Sequence, residues 1–315
     1  MQKSKVKSFK QKQKIIFLVG PTAVGKTEIA VKLARKINAE IISCDSMQIY
    51  KKINIISQKP CPIARKTVKH HLLDIISPRE EYNVADYQKQ ALLKIKDILQ
   101  KRKVPLFVGG TGFYTSVLLN GIFEEGAKNR KIRERLYRQA EKYGKKKLYA
   151  RLIKVDPEAA FKIHPNDLRR IVRALEVYAT TKTPISELQK KRKGIAEDFD
   201  AKIFCLNRNR DELYKRIDLR VDRMFRQGLV AEVKRLLQLK LSRTASAAIG
   251  IKEIKGFLNG QYDLAEARRL IKRNSRRYAK RQLTWFRRDK RIKWIQLSEK
   301  GHSNEVTQRI LSLVR

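Results

Sequence analysis

The chain has 315 residues, and its 74 Lys and Arg against 31 Asp and Glu give a formal net charge of +43. A chain of this length has room for about two domains that bury their own cores without metal or disulfide support. So large a positive charge repels itself unless a polyanion screens it, which points to nucleic acid as a partner. Lysine-rich composition by itself also explains part of the excess, notably in residues 1–13, which we expect to form a disordered basic tail.

The cysteines and the hydropathy pattern exclude several classes of protein. Cys44, Cys61 and Cys205 lie far apart, with no C-x-x-C pair and no neighbouring pair of histidines, which argues against a zinc knuckle and a disulfide framework. No apolar run approaches the roughly 20 residues of a membrane span, and the first apolar run is too short for a signal-peptide core. We therefore expect a soluble, cytoplasmic protein without a membrane partner, and we take it to be a monomer.

The first predicted elements surround a phosphate-binding motif. Residues 20–27 read GPTAVGKT and match the G-x-x-x-x-G-K-[ST] pattern of nucleotide-binding and ATP-binding loops. An apolar run at residues 15–19 predicts a buried strand before the motif, and apolar residues at helical spacing predict a helix after it. The loop requires this context, because its backbone amides and the helix N-terminus must converge on a polyphosphate.

Two side chains of the motif add chemistry to these amides. Lys26 supplies a positive charge, and the Thr27 hydroxyl is placed to bind a Mg²⁺ ion that bridges phosphate oxygens. The residues expected to bind phosphate are Gly20, Pro21, Thr22, Ala23, Val24, Gly25, Lys26 and Thr27.

Alternating strands and helices continue to about residue 120. A strand at residues 40–45 ends in the carboxylate of Asp45, a helix follows at 84–99, and a second apolar strand at 104–108 runs into glycines. This order implies a mostly parallel sheet with helices on both faces, an α/β fold with a P-loop NTPase-like core. In such sheets ligands bind at the carboxyl ends of the strands.

Strand signals vanish between about residues 121 and 200. Helices are predicted at 128–143 and 145–155, then after Asp156-Pro157 and after Asn166-Asp167. A strand at 201–206 resumes the sheet, so we expect a core domain of residues 14–120 and 201–315 with an inserted helical domain at 121–200. In a later long helix, apolar residues from Leu264 to Phe286 form one face and basic residues, among them Arg269, Lys272, Arg276, Lys280 and Arg287, form the other.

Asp45 is the strand-end carboxylate nearest the phosphate loop in this prediction. The strand at 104–108 ends instead in Gly-Gly-Thr-Gly, which favours close substrate approach over the acid-assisted hydrolysis of a motor ATPase. One hypothesis makes Asp45 a general base beside a phosphate-bearing substrate. The other makes it a helix cap or an indirect contact of the magnesium ion, and the residues alone leave both open.

Several separate motifs occur together and in a fixed order. They are Gly-Pro-Thr-Ala-Val-Gly-Lys-Thr, Asp45-Ser46-x-Gln48-x-Tyr50, His70-His71-Leu-Leu-Asp74-Ile, Gly109-Gly-Thr-Gly-Phe-Tyr114, His164-Pro-Asn-Asp167, Arg173-Ala-Leu-Glu176 and Lys280-Arg-Gln-x-Thr-Trp285. From about Ile15 to Trp294 the chain resembles the tRNA dimethylallyltransferase family, also called tRNA isopentenylpyrophosphate transferases.

This resemblance implies a reaction and a set of catalytic residues. A dimethylallyl group would pass from dimethylallyl diphosphate to N6 of the adenosine 3′ to the anticodon, at position 37 of tRNA, and diphosphate would leave. The phosphate loop would then hold diphosphate and Mg²⁺, with Arg220 as an additional arginine for the leaving charge; the alternative for Arg220 is an ordinary surface arginine. Asp45 matches the family's base, and Thr111 matches a residue that orients that carboxylate and the amine. The adenosine would have to flip out of the anticodon loop to reach them.

The same resemblance assigns contacts to the tRNA anticodon stem-loop. Arginines suit this task because they form forked contacts with phosphates and stack on exposed bases. The helical insert would clamp the stem-loop against the core. The assigned residues are Asp45, Ser46, Met47, Gln48, Thr111, Arg133, Arg169, Arg170, Ile171, Val172, Arg173, Lys280, Arg281, Gln282 and Trp285.

Two segments depart from the family pattern, and three other functions remain open. Ile56 and Ser57 stand where the family usually has Gly-Thr, and Ala247 and Ile251 stand where it usually has Gln and Tyr.

A transferase that prenylates free AMP, a small-molecule kinase and a non-catalytic RNA-binding protein could share the phosphate loop. The cationic insert favours a macromolecular acceptor over AMP, and bound ATP would identify a kinase.

Overall fold

The computed structural model describes residues 12–123, 129–298 and 303–314. The chain divides into two compact units, which we call the core unit (Met1–Leu118 and Ala196–Arg315) and the helical unit (Leu119–Ile195). Residues 196–200, expected in the insert, belong to the core unit because Asp200 already pairs with Lys14 in the sheet. Of the predicted basic tail, residues 1–11 lie outside the described residues.

The described part of the core unit contains a six-stranded sheet in the order β3-β2-β4-β1-β5-β6. Each neighbouring pair is parallel, as the alternating pattern predicted. Their carboxyl ends therefore meet at one edge, which brings together the segments after β1, β2 and β4. The strands are β1 (Lys14–Val19), β2 (Ala39–Cys44), β3 (His70–His71), β4 (Val104–Gly109), β5 (Asp200–Asn207) and β6 (Lys293–Gln296).

Helices account for most of the remaining described residues. A short 3₁₀ helix, Ala245–Ala247, precedes α12. The α-helices are α1 (Lys26–Lys36), α2 (Pro62–Thr67), α3 (Val84–Gln100), α4 (Gly112–Asn120), α5 (Arg130–Tyr143), α6 (Lys145–Val155), α7 (Pro157–Lys162), α8 (Leu168–Thr181), α9 (Ile185–Lys190), α10 (Arg210–Arg226), α11 (Leu229–Leu237), α12 (Ile251–Leu258), α13 (Leu264–Phe286) and α14 (Ser303–Val314). None of the helices within these described ranges is long and apolar enough to span a membrane.

Helices α5 to α9 make up the helical unit around a core of their own. The side chains of Leu136, Leu152, Ile171 and Leu175 are almost fully buried in that core. Capping residues set the helix starts, because Asn129 accepts a hydrogen bond from the amide of Ile132 and Asp167 accepts one from the amide of Arg170. The predicted start of α5 at residue 128 lies outside the described residues.

The long helix α13 differs in detail from its predicted two faces. Ala267, Ile271 and Phe286 are buried, as expected for the apolar side. On the other side, Lys272 pairs with Asp222 and Arg276 with Asp218 of α10, while Arg269 pairs with Glu266 of α13 itself. Much of the predicted cationic face is therefore neutralised by carboxylates of the same unit.

Candidate active site

The phosphate loop connects β1 to α1 in a conformation that its glycines permit. Gly20 has a φ of 147°, and a Cβ at this position would lie 2.7 Å from the carbonyl oxygen of Leu206. The ammonium group of Lys26 donates hydrogen bonds to the carbonyl oxygens of Gly20 at 2.9 Å and Pro21 at 2.7 Å. Lys26 thus lies folded back over its own loop, where a phosphate could displace these carbonyls as its partner.

Three arginines hold the loop from the side of α10. Arg208 donates to the carbonyl oxygen of Val24 and Arg216 to that of Ala23, each at 3.0 Å. Arg220 donates to the hydroxyl of Thr22 at 2.8 Å. Bonds to the carbonyl oxygens fix the loop's peptide groups, whose amides must face the ligand. Our sequence analysis missed Arg208 and Arg216. Only Arg216 had a signal, because its spacing from Arg220 and Arg223 places these three arginines on one face of a helix.

Burial shifts the pKa values of the two cations nearest the site. It lowers the pKa of Lys26 from 10.5 to about 8, with the charge of Asp45 acting in the opposite direction and that of Arg220 in the same one. It lowers the pKa of Arg220 to about 10, again opposed by Asp45. Two half-buried cations that share one carboxylate make a site in which an added anion is stabilised.

Two cavities meet at Asp45 and Arg220. The phosphate cavity, about 420 Å³, lies over the loop and is lined by Lys26 and Thr27 among others. The apolar cavity, about 380 Å³, shares Thr22, Asp45, Ser57, Arg220 and Tyr278 with the first one. Its remaining apolar lining residues are Met47, Ile56, Ile217, Val221, Met224, Ala247, Ala248 and Ile249. The arrangement offers a charged chamber for phosphates beside an apolar chamber for uncharged groups.

Asp45 begins a turn directly after β2. Its Oδ1 accepts a hydrogen bond from the amide of Met47 at 2.9 Å, which closes a turn and not a helix, since the next helix begins only at Pro62. The amide of Ser46, which lies between Asp45 and Met47, donates to the hydroxyl of Thr111 at 3.1 Å. The amide of Thr111 in turn donates to the carbonyl oxygen of Cys44 at 3.1 Å. A carboxylate can accept several hydrogen bonds, so capping leaves Asp45 able to accept a proton as well.

Gln48 in the same turn is held by neighbouring protein groups. Its Oε1 accepts from the hydroxyl of Ser43 at 2.9 Å, and its Nε2 donates to the carbonyl oxygens of Ser57 and Gln58, each at 3.4 Å. Ser57 belongs to the segment where the chain departs from the family pattern. Three of the four departing residues, Ile56, Ser57 and Ala247, line the apolar cavity.

Residues of α13 form another wall of the site. The side chain of Tyr278 lies beside that of Thr111, and the amide group of Gln282 is bonded to the backbone at Thr22 and Gly110. Gln282 is only 6% exposed, and both ends of its amide are used inside the core unit, so its contact with tRNA stays a prediction that these bonds do not support. Lys280 and Arg281 are exposed and remain predicted RNA contacts.

The predicted RNA contacts of the helical unit are of two kinds. Arg169 and Arg170 are exposed on α8, whereas Ile171 and Val172 are 0% and 1% exposed. Both apolar side chains face the core of the unit, so the contact predicted for this segment stays a prediction for which only its arginine side chains are exposed. An apolar pair between basic residues was a signal for this, since it marks the inner face of an amphipathic helix.

Arg133 and Arg173 are both anchored by Glu176, a residue of the quoted motif to which we had given no role. Glu176 is fully buried, and its carboxylate accepts bonds of 2.8 Å from each arginine and from the amide of Asn129. These ion pairs hold the pKa of Glu176 below its usual value despite burial. The arginine side chains remain about 30% exposed, at 30% and 31%.

Thr27 is the residue that suits a Mg²⁺ ion. Within the described ranges, no three His, Cys, Asp or Glu side chains come close enough to hold a metal by themselves. Mg²⁺ usually keeps several waters and is bound through one or two protein groups together with substrate phosphates. The hydroxyl-bearing Thr27 at the wall of the phosphate cavity fits this mode of binding.

Fold and site together define an α/β enzyme with a phosphate-binding loop and a carboxylate beside it. A sequence model of the IPP transferase family matches residues 48–289. The tRNA dimethylallyltransferases of Halothermothrix orenii and Thermotoga maritima are 47% and 46% identical to the chain; both alignments cover 96% of it, and 92% and 98% of the relatives. The chain belongs to the tRNA dimethylallyltransferase family, whose members are prenyltransferases that modify tRNA.

Solved structures give the same result. The tRNA isopentenylpyrophosphate transferase of Bacillus halodurans is 37% identical, with a TM-score of 0.70 over 96% of this chain and 97% of that one. A eukaryotic dimethylallyltransferase acting on tRNA is 31% identical, with a TM-score of 0.81 over 96% of this chain and 80% of that one. The fold class predicted from the sequence is confirmed.

Proposed function

We propose that the chain transfers the dimethylallyl group of dimethylallyl diphosphate to N6 of the adenosine at position 37 in tRNA. The observation that carries this proposal is the meeting of the two cavities at Asp45 and Arg220. A cationic chamber for a diphosphate and an apolar chamber for uncharged groups share one carboxylate. Alkylation of an amine needs these three features in one place.

The donor's diphosphate is bound by the phosphate loop. When the bond between C1 of the dimethylallyl group and the diphosphate oxygen breaks, the electron pair stays on that oxygen and negative charge grows there. Lys26 and Arg220 are positioned to stabilise this charge, since both line the phosphate cavity and share one carboxylate, that of Asp45. Thr27 would hold a Mg²⁺ ion, which when bound neutralises phosphate oxygens.

The acceptor is the exocyclic amine of a flipped adenosine. Its N6 is a poor nucleophile because its lone pair is delocalised into the ring, and it must lose a proton as it forms the new bond to C1, since that bond otherwise leaves the nitrogen positively charged. Asp45 accepts that proton, and Thr111 orients the turn that carries Asp45 through its bond with the amide of Ser46. The apolar cavity shields the reacting groups from water with residues such as Ile217 and Met224.

The anticodon stem-loop is recognised through cationic surface residues. Arg169 and Arg170 of the helical unit and Lys280 and Arg281 of the core unit are exposed and suit phosphate contacts. A net charge of +43 favours a large polyanion over a mononucleotide. We further propose a cytoplasmic monomer; the three cysteines are free, and burial raises the pKa of Cys44 to about 11, which keeps it a thiol.

The test is an acceptor competition with labelled dimethylallyl diphosphate and Mg²⁺. We expect label on an anticodon stem-loop with adenosine at position 37, and none on AMP or on a matched stem-loop with guanosine there, which has no N6 amine. Label on AMP alone would assign the chain to mononucleotide prenylation. Transfer of the terminal phosphoryl group of ATP, with the isoprenoid donor ignored, would assign it to the kinases.

A further inference from the structure

Gln282 joins the two loops on which the proposed reaction depends. Its Oε1 accepts a hydrogen bond of 2.9 Å from the amide of Thr22 in the phosphate loop. Its Nε2 donates one of 2.8 Å to the carbonyl oxygen of Gly110, one residue before Thr111. The three partners are far apart in the sequence, and the side chain is 6% exposed. A single rigid amide therefore sets the distance between these loops.

The fit around this amide is close. A Cβ at Gly110 would lie 2.1 Å from the Gln282 Nε2 and 3.1 Å from the carbonyl oxygen of Gly20, so only a glycine admits the contact. Thr22 is fixed twice, because its amide donates to Gln282 while its hydroxyl accepts from Arg220. The bridge thus extends from the arginine that faces the leaving group to the loop that carries Thr111.

We propose that Gln282 is a positioning residue for group transfer, which holds the diphosphate loop and the Gly110–Thr111 loop at the separation that in-line attack requires. The inference rests on the proposed function, in which the first loop holds the leaving group and the second orients the base. Misplacement of reacting groups by about 1 Å can lower a rate by roughly 10²-fold. Gln282 acts on the rate through the two loops that it holds.

The position of α13 in the site agrees with this role. One turn before Gln282, the side chain of Tyr278 lies beside that of Thr111. About one turn after it, Trp285 packs so tightly on Gly112 that a Cβ there would lie 2.2 Å from the indole ring. Gln282 is the member of this row that also reaches the phosphate loop. The helix therefore fixes the Gly110–Gly112 segment along its length and the phosphate loop at one point.

Two substitutions separate positioning from simple stabilisation. Gln282→Met keeps the length of the side chain but leaves the Thr22 amide and the Gly110 carbonyl without their partner. Gln282→Glu keeps an acceptor for Thr22 and places an oxygen against the Gly110 carbonyl oxygen. Gly110→Ala provides a third route, since it keeps Gln282 and displaces its amide. Asn274→Leu is the matched control. Asn274 lies on the same helix as Gln282, and its Nδ2 donates to Glu253 of α12 at 2.6 Å, away from the loops.

The experiment measures single-turnover rate, stem-loop Kd and Tm for each variant with the full chain. We expect the Gln282 and Gly110 variants to lose at least about tenfold in rate at saturating substrates, with stem-loop Kd within about twofold. Asn274→Leu should lower Tm while keeping the parent rate.

Lowered Tm with an unchanged rate in the Gln282 variants would overturn the inference, as would weakened stem-loop binding at an unchanged rate. Should Gln282→Met fail to fold, the Gly110→Ala and Gln282→Glu rates decide in the same way. Failure of the parent to label the stem-loop would instead refute the proposed function.

Discussion

Asp45 combines a structural and a proposed chemical role in one carboxylate. Its Oδ1 caps the turn after β2 through the amide of Met47, and the same side chain lines both cavities. Replacing it by alanine would remove the cap together with the base. A substitution that keeps the cap is needed to separate the two roles.

Asp45→Asn makes this separation, because the asparagine oxygen can still accept from Met47 while the amide cannot take up the N6 proton. We expect turnover to fall by about 10² or more, as for loss of a general base, with donor and stem-loop Kd within a few-fold. Single-turnover kinetics and equilibrium binding measure the two effects. Turnover at the parent level would rule out Asp45 as the base.

Lys26 should make donor binding depend on pH. With its free pKa lowered to about 8, binding of an anion favours the ammonium form and raises that pKa. Affinity is therefore greatest below pH 8 and weakens as pH rises through about 8, with proton uptake on binding. Calorimetry of dimethylallyl diphosphate binding in buffers of different ionisation enthalpy measures this uptake.

The control for this effect is Lys26→Arg, which keeps a positive charge that does not titrate in this range. The ionisation of the ligand itself is common to both proteins and cancels in the comparison. Equal proton uptake by Lys26→Arg and the parent near pH 8 would contradict the assignment.

At the scale of elements, α11 fixes a loop that borders both cavities. The buried carboxylate of Glu232 accepts hydrogen bonds from three successive amides, those of Asn54, Ile55 and Ile56, at 2.9 to 3.1 Å. The carbonyl oxygens of the next two residues accept from Gln48. One helix thereby determines the shape of a segment whose sequence departs from the family pattern.

Glu232→Gln should destabilise the core unit by about 1–3 kcal/mol, because an amide group replaces an acceptor that faces backbone N–H groups. Urea unfolding measures the loss. Glu305→Gln, at an exposed position of α14, should change the unfolding free energy by less than about 0.5 kcal/mol. Equal values for the two variants would show that the three amides find other partners.

At the scale of the whole molecule, charge and RNA binding are linked. The net charge of +43 makes strong, salt-sensitive binding of a polyanion the general expectation, whichever residues make the contacts. Particular contacts must therefore be distinguished by their effect on the salt dependence and not by affinity alone. The exposed arginines of α8 are suited to this comparison, whereas Arg173 is not, since its removal would leave buried Glu176 short of a cation.

Arg169→Ala should weaken stem-loop binding and reduce the slope of log affinity against log salt by about 0.7–0.9 if one phosphate contact is lost. Donor affinity should stay at the parent value, because the phosphate loop lies in the other unit. Arg309→Ala, an exposed arginine on α14, is the matched control and should leave the slope unchanged. Equal slopes for Arg169→Ala and the parent would exclude the contact.

Much of the fold could be predicted because its signals are local. The apolar run before Gly20, the spacing of apolar residues after it and the strands that end at Asp45 and Gly109 each depend on neighbours in sequence. Because the strands were predicted to be parallel, the loops after β1, β2 and β4 could be placed at one edge of the sheet before any tertiary contact was known. The predicted bounds of elements are wrong by one or two residues in places; β2, for example, ends at Cys44 and not at Asp45. The exact end of a strand or helix depends on its last hydrogen bonds, which the sequence pattern does not specify.

The sequence by itself determined the α/β class and the phosphate loop, since these follow from short motifs and their order, whereas the chemical roles of Asp45 and Thr111 come from the resemblance to the family and stay predictions. Only the tertiary structure decided that Gln282 bonds to two loops, that Arg208 and Arg216 hold loop carbonyls, and that Glu176 anchors two arginines. The Thr22 and Gln282 partners are separated by 260 residues. Polar side chains have no periodicity that specifies a distant partner, so their roles emerge only when packing brings the partners within hydrogen-bond distance.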